Sequence, residues 1–215
     1  MSQNVELVFI LDRSGSMSGL EKDTIGGFNG VIEKQKKLEG DCLVSTVLFD
    51  DRFEVLHNRK NLKEIKPMTE KDYYVRGCTA LLDAMGRSIT KIAQIHRHLS
   101  KEERPEKVLF VITTDGLENA SREYSYADIK KMITIETEEY GWEFIFLGAN
   151  IDSFNEADRL GIKRSRVANF HNDKKGTETN YEALHEAINE FRSFDRIEDH
   201  WNEKINADYI KRKKS

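Results

Sequence analysis

Two hydrophobic periodicities alternate along this chain. Short, nearly unbroken apolar runs, clearest in Val5-Glu6-Leu7-Val8-Phe9-Ile10-Leu11 and Val108-Leu109-Phe110-Val111-Ile112, read as strands covered on both faces. Such runs fall at 5–11, 43–49, 52–57, 107–113, 143–148 and 165–170. The longer segments between them, about 20–38, 80–99, 125–140, 153–160 and 178–193, predict helices. In the second of these, Leu81, Leu82, Met85, Ile89, Ile92 and Ala93 return at helical spacing. Only Asp50-Asp51 separates the strands 43–49 and 52–57, which predicts a hairpin and hence one antiparallel strand at a sheet edge. Pro105 and the charged stretch 100–104 mark the loop before strand 107–113. Strand and helix in regular alternation predict an α/β fold: a Rossmann-like, doubly wound, mostly parallel sheet with helices on both faces.

The end of the chain breaks this alternation. Over 194–215, Ile197, Trp201, Ile205 and Tyr209 repeat every four residues and predict a charged C-terminal helix or tail with a narrow apolar stripe, ending in Lys211-Arg212-Lys213-Lys214. Such a helix either packs on the domain with a frayed basic end or binds a partner.

Composition narrows the picture. At 215 residues the chain can bury a sizeable core in one domain. Charged residues make up 33%, against roughly 25% in an average domain, so the helices carry solvated faces. A net charge of −4, and a basic tail without interleaved aromatics, argue against nucleic-acid binding. Cys42 and Cys78 are too few for a disulfide framework and read as buried thiols in a reducing compartment. Met1-Ser2-Gln3-Asn4 runs straight into the first strand without a charged-then-apolar leader, and no apolar run reaches the ~18 residues of a membrane span. The expectation is a cytoplasmic protein with no membrane partner.

The chemistry concentrates in Asp12-Arg13-Ser14-Gly15-Ser16, at the C-terminal end of the first strand. One carboxylate and two hydroxyls at alternating positions of a tight loop form an all-oxygen cluster, the donor set that hard divalent cations prefer. Two further positions belong with it. Thr79, in Gly77-Cys78-Thr79-Ala80-Leu81, falls at a helix start, and Asp115, in Thr113-Thr114-Asp115-Gly116, follows the apolar strand 107–113. In an open α/β sheet, loops beyond the carboxyl ends of strands meet where the strand order reverses. Each residue also has a plainer use: Asp12 as a turn cap, the serines satisfying loop amides, Thr79 as a helix N-cap, Asp115-Gly116 as a turn pair.

Taken together, Asp12, Ser14, Ser16, Thr79 and Asp115 resemble the metal-ion-dependent adhesion site (MIDAS) of the von Willebrand factor type A (VWA) domain, in which Asp-x-Ser-x-Ser is joined by a Thr and by an Asp after a central strand. The resemblance covers roughly residues 3–193 and implies a six-stranded sheet in the order 3-2-1-4-5-6 with one antiparallel edge. Cys78 stands where the family commonly has the second Gly of Gly-Gly-Thr. The resemblance implies Mg2+ as the cofactor, with Mn2+ or Ca2+ as substitutes. Ser14 and Ser16 would be direct ligands. Asp12 and Asp115 would act mostly through water or through hydrogen bonds to the serines, and Thr79 would act directly or through water. It implies no catalysis. The module would instead bind a protein partner's Asp, Glu or C-terminal carboxylate. The resemblance points to a partner in an AAA+ ATPase–adaptor pair or a stress-resistance complex, such as one for tellurite resistance.

Other features point elsewhere less strongly. His96-x-His98 predicts solvated residues near a helix end, because positions i and i+2 do not share a face. His171, beside Asn172 and Asp173, predicts a loop residue after a strand, with approach to the metal face as the alternative. No Gly-x-Gly-x-x-Gly, Walker A or zinc-type cysteine spacing is present. A metal-dependent phosphatase with Asp12 as nucleophile is the competing enzyme reading, but Ser14 stands where such enzymes place a second Asp. An assembly subunit with a structural metal is the third.

Overall fold

The alternation of apolar runs and helices resolves, in a computed structural model describing residues 4–194 and 196–213, into one sheet with helices on both sides. Residue 3 of the expected domain and Lys214 of the basic run lie outside the described residues. The strands are β1 (Val5–Asp12), β2 (Cys42–Phe49), β3 (Phe53–Asn61), β4 (Lys107–Thr114), β5 (Glu143–Ala149) and β6 (Val167–Phe170). The helices are α1 (Glu21–Gln35), α2 (Leu81–His98), α3 (Tyr126–Tyr140), α4 (Ser153–Leu160), α5 (Lys174–Phe194) and α6 (Glu203–Lys213). The sheet order is β3-β2-β1-β4-β5-β6, with only the β2–β3 pair antiparallel.

Side chains on a strand alternate between faces, and β1 shows why its run is apolar throughout. Leu7, Phe9 and Leu11 pack with Phe28 and Ile32 of α1 and with Leu184 and Ile188 of α5. Val8 and Ile10 pack with Leu81, Met85 and Ile89 of α2 and with helices α3 and α4. Both faces are thus dry. Glu6 is the one charged residue at the amino end of β1, and it is buried: Oε1 accepts from Arg59 Nε at 2.9 Å, and Oε2 lies 2.8 Å from His96 Nε2.

Several boundaries differ from the sequence reading, each for a local reason. The strand expected over 52–57 continues to Asn61, because β2 offers it backbone partners as far as Leu43 through a bulge. The strand expected from 165 starts at Val167, the first residue with a partner on β5; Arg164–Arg166 form a 3-10 turn. The helix expected from 178 starts at Lys174, where Asp173 Oδ1 accepts from Gly176 N at 2.8 Å and caps it. His96 is buried rather than solvated, through its contact with Glu6. Cys42 is buried as expected, but Cys78 is exposed: Thr79 turns inward, and the cysteine before it faces out.

The C-terminal stripe is not a single helix. Ile197 and Trp201 precede α6, and with Ile205 they join the α1–α5 side of the core. Non-helical bonds hold this segment to the sheet. Arg166 Nη2 donates to Ile197 O (2.8 Å), Trp201 Nε1 to Ser165 O (2.8 Å), and Asn202 Nδ2 to Val167 O (2.7 Å). The segment packs on the domain beside the β6 edge, and α6 stays helical through Lys213, with Arg212 paired to Asp173 and Asp208, rather than fraying over the described part of its basic end. Among the described residues, no helix is long and apolar enough to cross a membrane.

Candidate metal centre

Register brings the two acidic loops together. Leu11 of β1 is paired with Thr113 of β4, so Asp12 lies level with Thr114, and both chains leave the sheet at the same edge. The strand order reverses here: β1 leads through α1 to β2 on one side, and β4 leads through α3 to β5 on the other. Asp12, fully buried, is used by the protein on both oxygens. Oδ1 accepts from Ser14 N at 2.7 Å, and Oδ2 accepts from Thr114 Oγ1 at 2.6 Å and, weakly, from Asp115 N at 3.4 Å. Burial raises its pKa, and the bonds from Thr114 and Ser14 pull it back.

Thr79 arrives from a third loop, clasped to the first along its length. Tyr73 Oη donates to Asp12 O (2.5 Å), Arg76 N to Arg13 O (2.9 Å), and Gly15 N to Gly77 O (3.2 Å). Gly77 has a φ of 65°, a left-handed conformation that costs glycine little. Beneath the clasp lies a charge network. Arg13 Nε and Arg76 Nε both donate to the buried Asp50 Oδ2, at 3.0 and 2.6 Å, and Arg13 Nη2 donates to Glu54 at 2.6 Å. The Arg13 side chain thereby points away from the hydroxyls. Thr79 is not the N-cap of α2. That position is Ala80, and the first helix amides are met by Glu118 (to Leu82 N, 2.9 Å) and Ser121 (to Asp83 N, 3.0 Å).

The result is a cup of three hydroxyls. Thr79 Oγ1 donates to Ser14 Oγ at 2.9 Å, and Ser14 Oγ lies 3.0 Å from Ser16 Oγ. Ser14 and Thr79 are buried and Ser16 is exposed, so the cup opens on the Ser16 side. Gly116 forms part of its wall: a Cβ there would lie 2.9 Å from both Ser16 Oγ and Thr79 Oγ1, so no larger residue fits without moving a hydroxyl. Asp115 Oδ2 accepts from Asn172 Nδ2, while Oδ1 is buried with no hydrogen-bond partner. Burial foremost, and then the neighbouring Asp12 charge, push the Asp115 carboxyl up to about 6; the amides of Asn150 and Asn172 act in the opposite direction.

All five residues singled out in the sequence therefore belong to one network at the carboxyl edge of the sheet, Asp12, Ser14, Ser16 and Thr79 through direct bonds among their loops and Asp115 through its N–H to Asp12. Three supporting residues were not foreseen. Thr114 bonds Asp12, Asn172 bonds Asp115, and Asn119 Oδ1 accepts from Thr79 N at 2.9 Å. Thr114 and Asn172 share a legible signal, since each stands at or just after the carboxyl end of a strand. His171 does not reach the cup; its Nε2 lies 3.0 Å from Tyr209 O. Among the described residues, no group of three or more His, Cys, Asp and Glu side chains is placed to hold a metal. The donor set here is instead hydroxyl-rich, with one carboxylate oxygen left over, which suits a hard cation that keeps several waters. An unpaired buried carboxylate oxygen is costly, and a cation would relieve that cost.

No protein-family model matches the chain, and no curated protein matches it. Among solved structures, the chain is similar to proximal thread matrix protein 1 from the mussel byssus with a zinc-occupied MIDAS motif (TM-score 0.58, 14% identity, covering 87% of this chain and 46% of that one). It is also similar to VWA2, the ArnB paralog from Sulfolobus acidocaldarius (TM-score 0.53, 19% identity, 87% and 45%). A third likeness is to a von Willebrand factor type A protein from Catenulispora acidiphila (TM-score 0.56, 16% identity, 86% and 42%). The chain spans less than half the length of each. At these identities the likeness is one of fold. With the sheet order and its single antiparallel edge, it gives this chain the fold of the von Willebrand factor type A domain.

Proposed function

We propose that this chain is a metal-dependent protein-interaction module. In this reading it binds an Asp, Glu or C-terminal carboxylate of a protein partner through Mg2+ held at the carboxyl edge of the sheet, with Mn2+ or Ca2+ as substitutes. The observation that carries the reading is the cup of Ser14, Ser16 and Thr79 hydroxyls beside the unpartnered Asp115 Oδ1. Ser14 and Ser16 would hold the ion directly, and Thr79 and Asp115 directly or through water. Asp12, with both oxygens engaged, would orient the loop that presents the serines. When bound, such an ion offers an electrophilic position to a carboxylate, and neutral hydroxyl ligands leave its charge largely undiminished. Two Asp carboxylates would balance a divalent charge, so a third carboxylate would not be strongly repelled. The zinc-occupied MIDAS motif of the mussel thread protein supports a divalent ion on this fold.

The phosphatase alternative requires Asp12 to present a free oxygen as nucleophile, and both are occupied by Ser14 and Thr114. A cytoplasmic setting, with an AAA+ ATPase or a stress-resistance component as partner, belongs to the same proposal. It draws on the two free thiols and the VWA resemblance. Titration calorimetry with Mn2+ tests the site: the wild type binds one ion, and Asp12→Ala does not. Equal binding by both removes the site. Affinity capture with Mg2+ or EDTA tests the interaction: the captured partner is lost with EDTA and with Ser14→Ala. An unchanged capture profile would mean that partners use another surface. Hydrolysis of phosphate esters by the wild type, abolished in Asp12→Asn, would favour the enzyme reading.

A further inference from the structure

Asn172, whose amide occupies Asp115 Oδ2, lies between β6 and α5 at the apex of a tight turn in which Asp173 N donates to His171 O at 2.8 Å. Both ends of that turn are held by α6. On one side, His171 Nε2 lies 3.0 Å from Tyr209 O, and the His171 ring stacks on the Tyr209 ring at 4.7 Å between centroids and 29° between planes. On the other, Arg212 Nη1 donates to Asp173 Oδ2 at 2.5 Å. Arg212 is itself fixed from within α6, because Asp208 Oδ2 accepts from its Nε (2.9 Å) and Nη2 (2.5 Å). Asp173 also caps α5. The turn therefore has little freedom while α6 is in place.

We propose that α6 is a positioning element for the metal cup, acting through Asn172. By holding His171 and Asp173 it keeps the Asn172 amide on Asp115 Oδ2, which leaves Oδ1 as the carboxylate oxygen without a protein partner. Groups that orient a ligand from behind commonly change metal affinity by 10–100-fold when removed. Displacing α6 would weaken metal binding without touching any ligand, and a partner that engages α6 would be felt at the cup. The inference rests on the metal-dependent reading above.

The test uses Mn2+ on the full chain, by calorimetry and by electron paramagnetic resonance. Asn172→Ala lowers affinity about tenfold or more. At saturating Mn2+ it also alters the spectrum of the bound ion, since Asp115 loses one of the two amides that orient it and keeps only Asn150. Arg212→Ala, which frees one end of the turn, gives a smaller loss of about threefold, as expected for a partly exposed ion pair. Lys204→Ala breaks a different α6 ion pair, to Glu186 at 2.7 Å, and leaves Mn2+ affinity unchanged. Thermal midpoints of all three separate this from general loosening, which would lower affinity in Lys204→Ala and Arg212→Ala alike. Wild-type affinity in Asn172→Ala and Arg212→Ala overturns the inference and leaves the metal site standing, as does an unaltered spectrum in Asn172→Ala. No Mn2+ binding by the wild type overturns both.

Discussion

At the scale of single residues, the cup is a balance of hydroxyls held at hydrogen-bond distance from one another, which is why small changes matter more for binding than for stability. Gly116→Ala would place a methyl 2.9 Å from Ser16 Oγ and Thr79 Oγ1 and drive them apart. Mn2+ affinity falls in this variant while its thermal midpoint moves little. Calorimetry and a melting curve on the same preparation check both. Thr79→Ala removes one arm of a single 2.9 Å bond and costs about 0.5–1.5 kcal/mol in urea denaturation, and Ser14→Ala, which also removes the 3.0 Å contact with Ser16 Oγ, costs more. Thr79→Ala brings no helix-cap loss on top, because Ala80 precedes α2 and Glu118 and Ser121 meet its amides.

At the scale of elements, three loops converge only because the 66–80 connection is clasped to the first loop, and the clasp sits on Asp50. Asp50 is fully buried and accepts from Arg13 and Arg76, while its own carbonyl receives Ala80 N at 2.9 Å. Asp50→Ala would leave the buried Arg13 with only the half-exposed Glu54 as a carboxylate partner. The expected cost is about 3 kcal/mol, the low end for breaking one side of a buried pair, because Glu54 still meets part of the charge. Arg76 is part-exposed, so Arg76→Ala costs about 1 kcal/mol or less. Urea denaturation of the two variants separates them; equal losses would show that the Arg13–Asp50 pair adds nothing beyond the Arg76–Asp50 pair.

At the scale of the molecule, the sheet is dry on both faces, and the C-terminal segment adds to only one of them. Trp201 is buried against the α1–α5 layer, and its indole N–H is bonded to Ser165 O. Trp201→Ala therefore costs about 3–5 kcal/mol, the range for a large aromatic removed from a core. A loss below about 1 kcal/mol would mean that 196–213 is an appendage rather than part of the fold. The opposite end of the sheet carries its own polar cluster around the buried Glu6, with Arg59 and His96, far along β1 from the cup.

The alternation of apolar runs with helical periodicity by itself determined the α/β class and the hairpin edge, because burial on both faces leaves no polar position in β1 between Glu6 and the terminal Asp12. The same pattern put Asp12, Ser14, Ser16, Thr79 and Asp115 where strands end or a helix begins, and the resemblance to the MIDAS motif joined them into one candidate site. Tertiary structure decided the rest. Neither Asn172 nor Asn150 carries a spacing that ties it to Asp115; only the parallel packing of β4, β5 and β6 lays their C-terminal loops side by side. His96 looked solvated because its burial depends on Glu6, 90 positions away along the chain. The stripe Ile197, Trp201, Ile205 and Tyr209 read as one helix because periodicity registers burial, not backbone hydrogen bonding. The first two of those residues are buried by side-chain bonds to the β6 edge, a partner that local sequence cannot reveal.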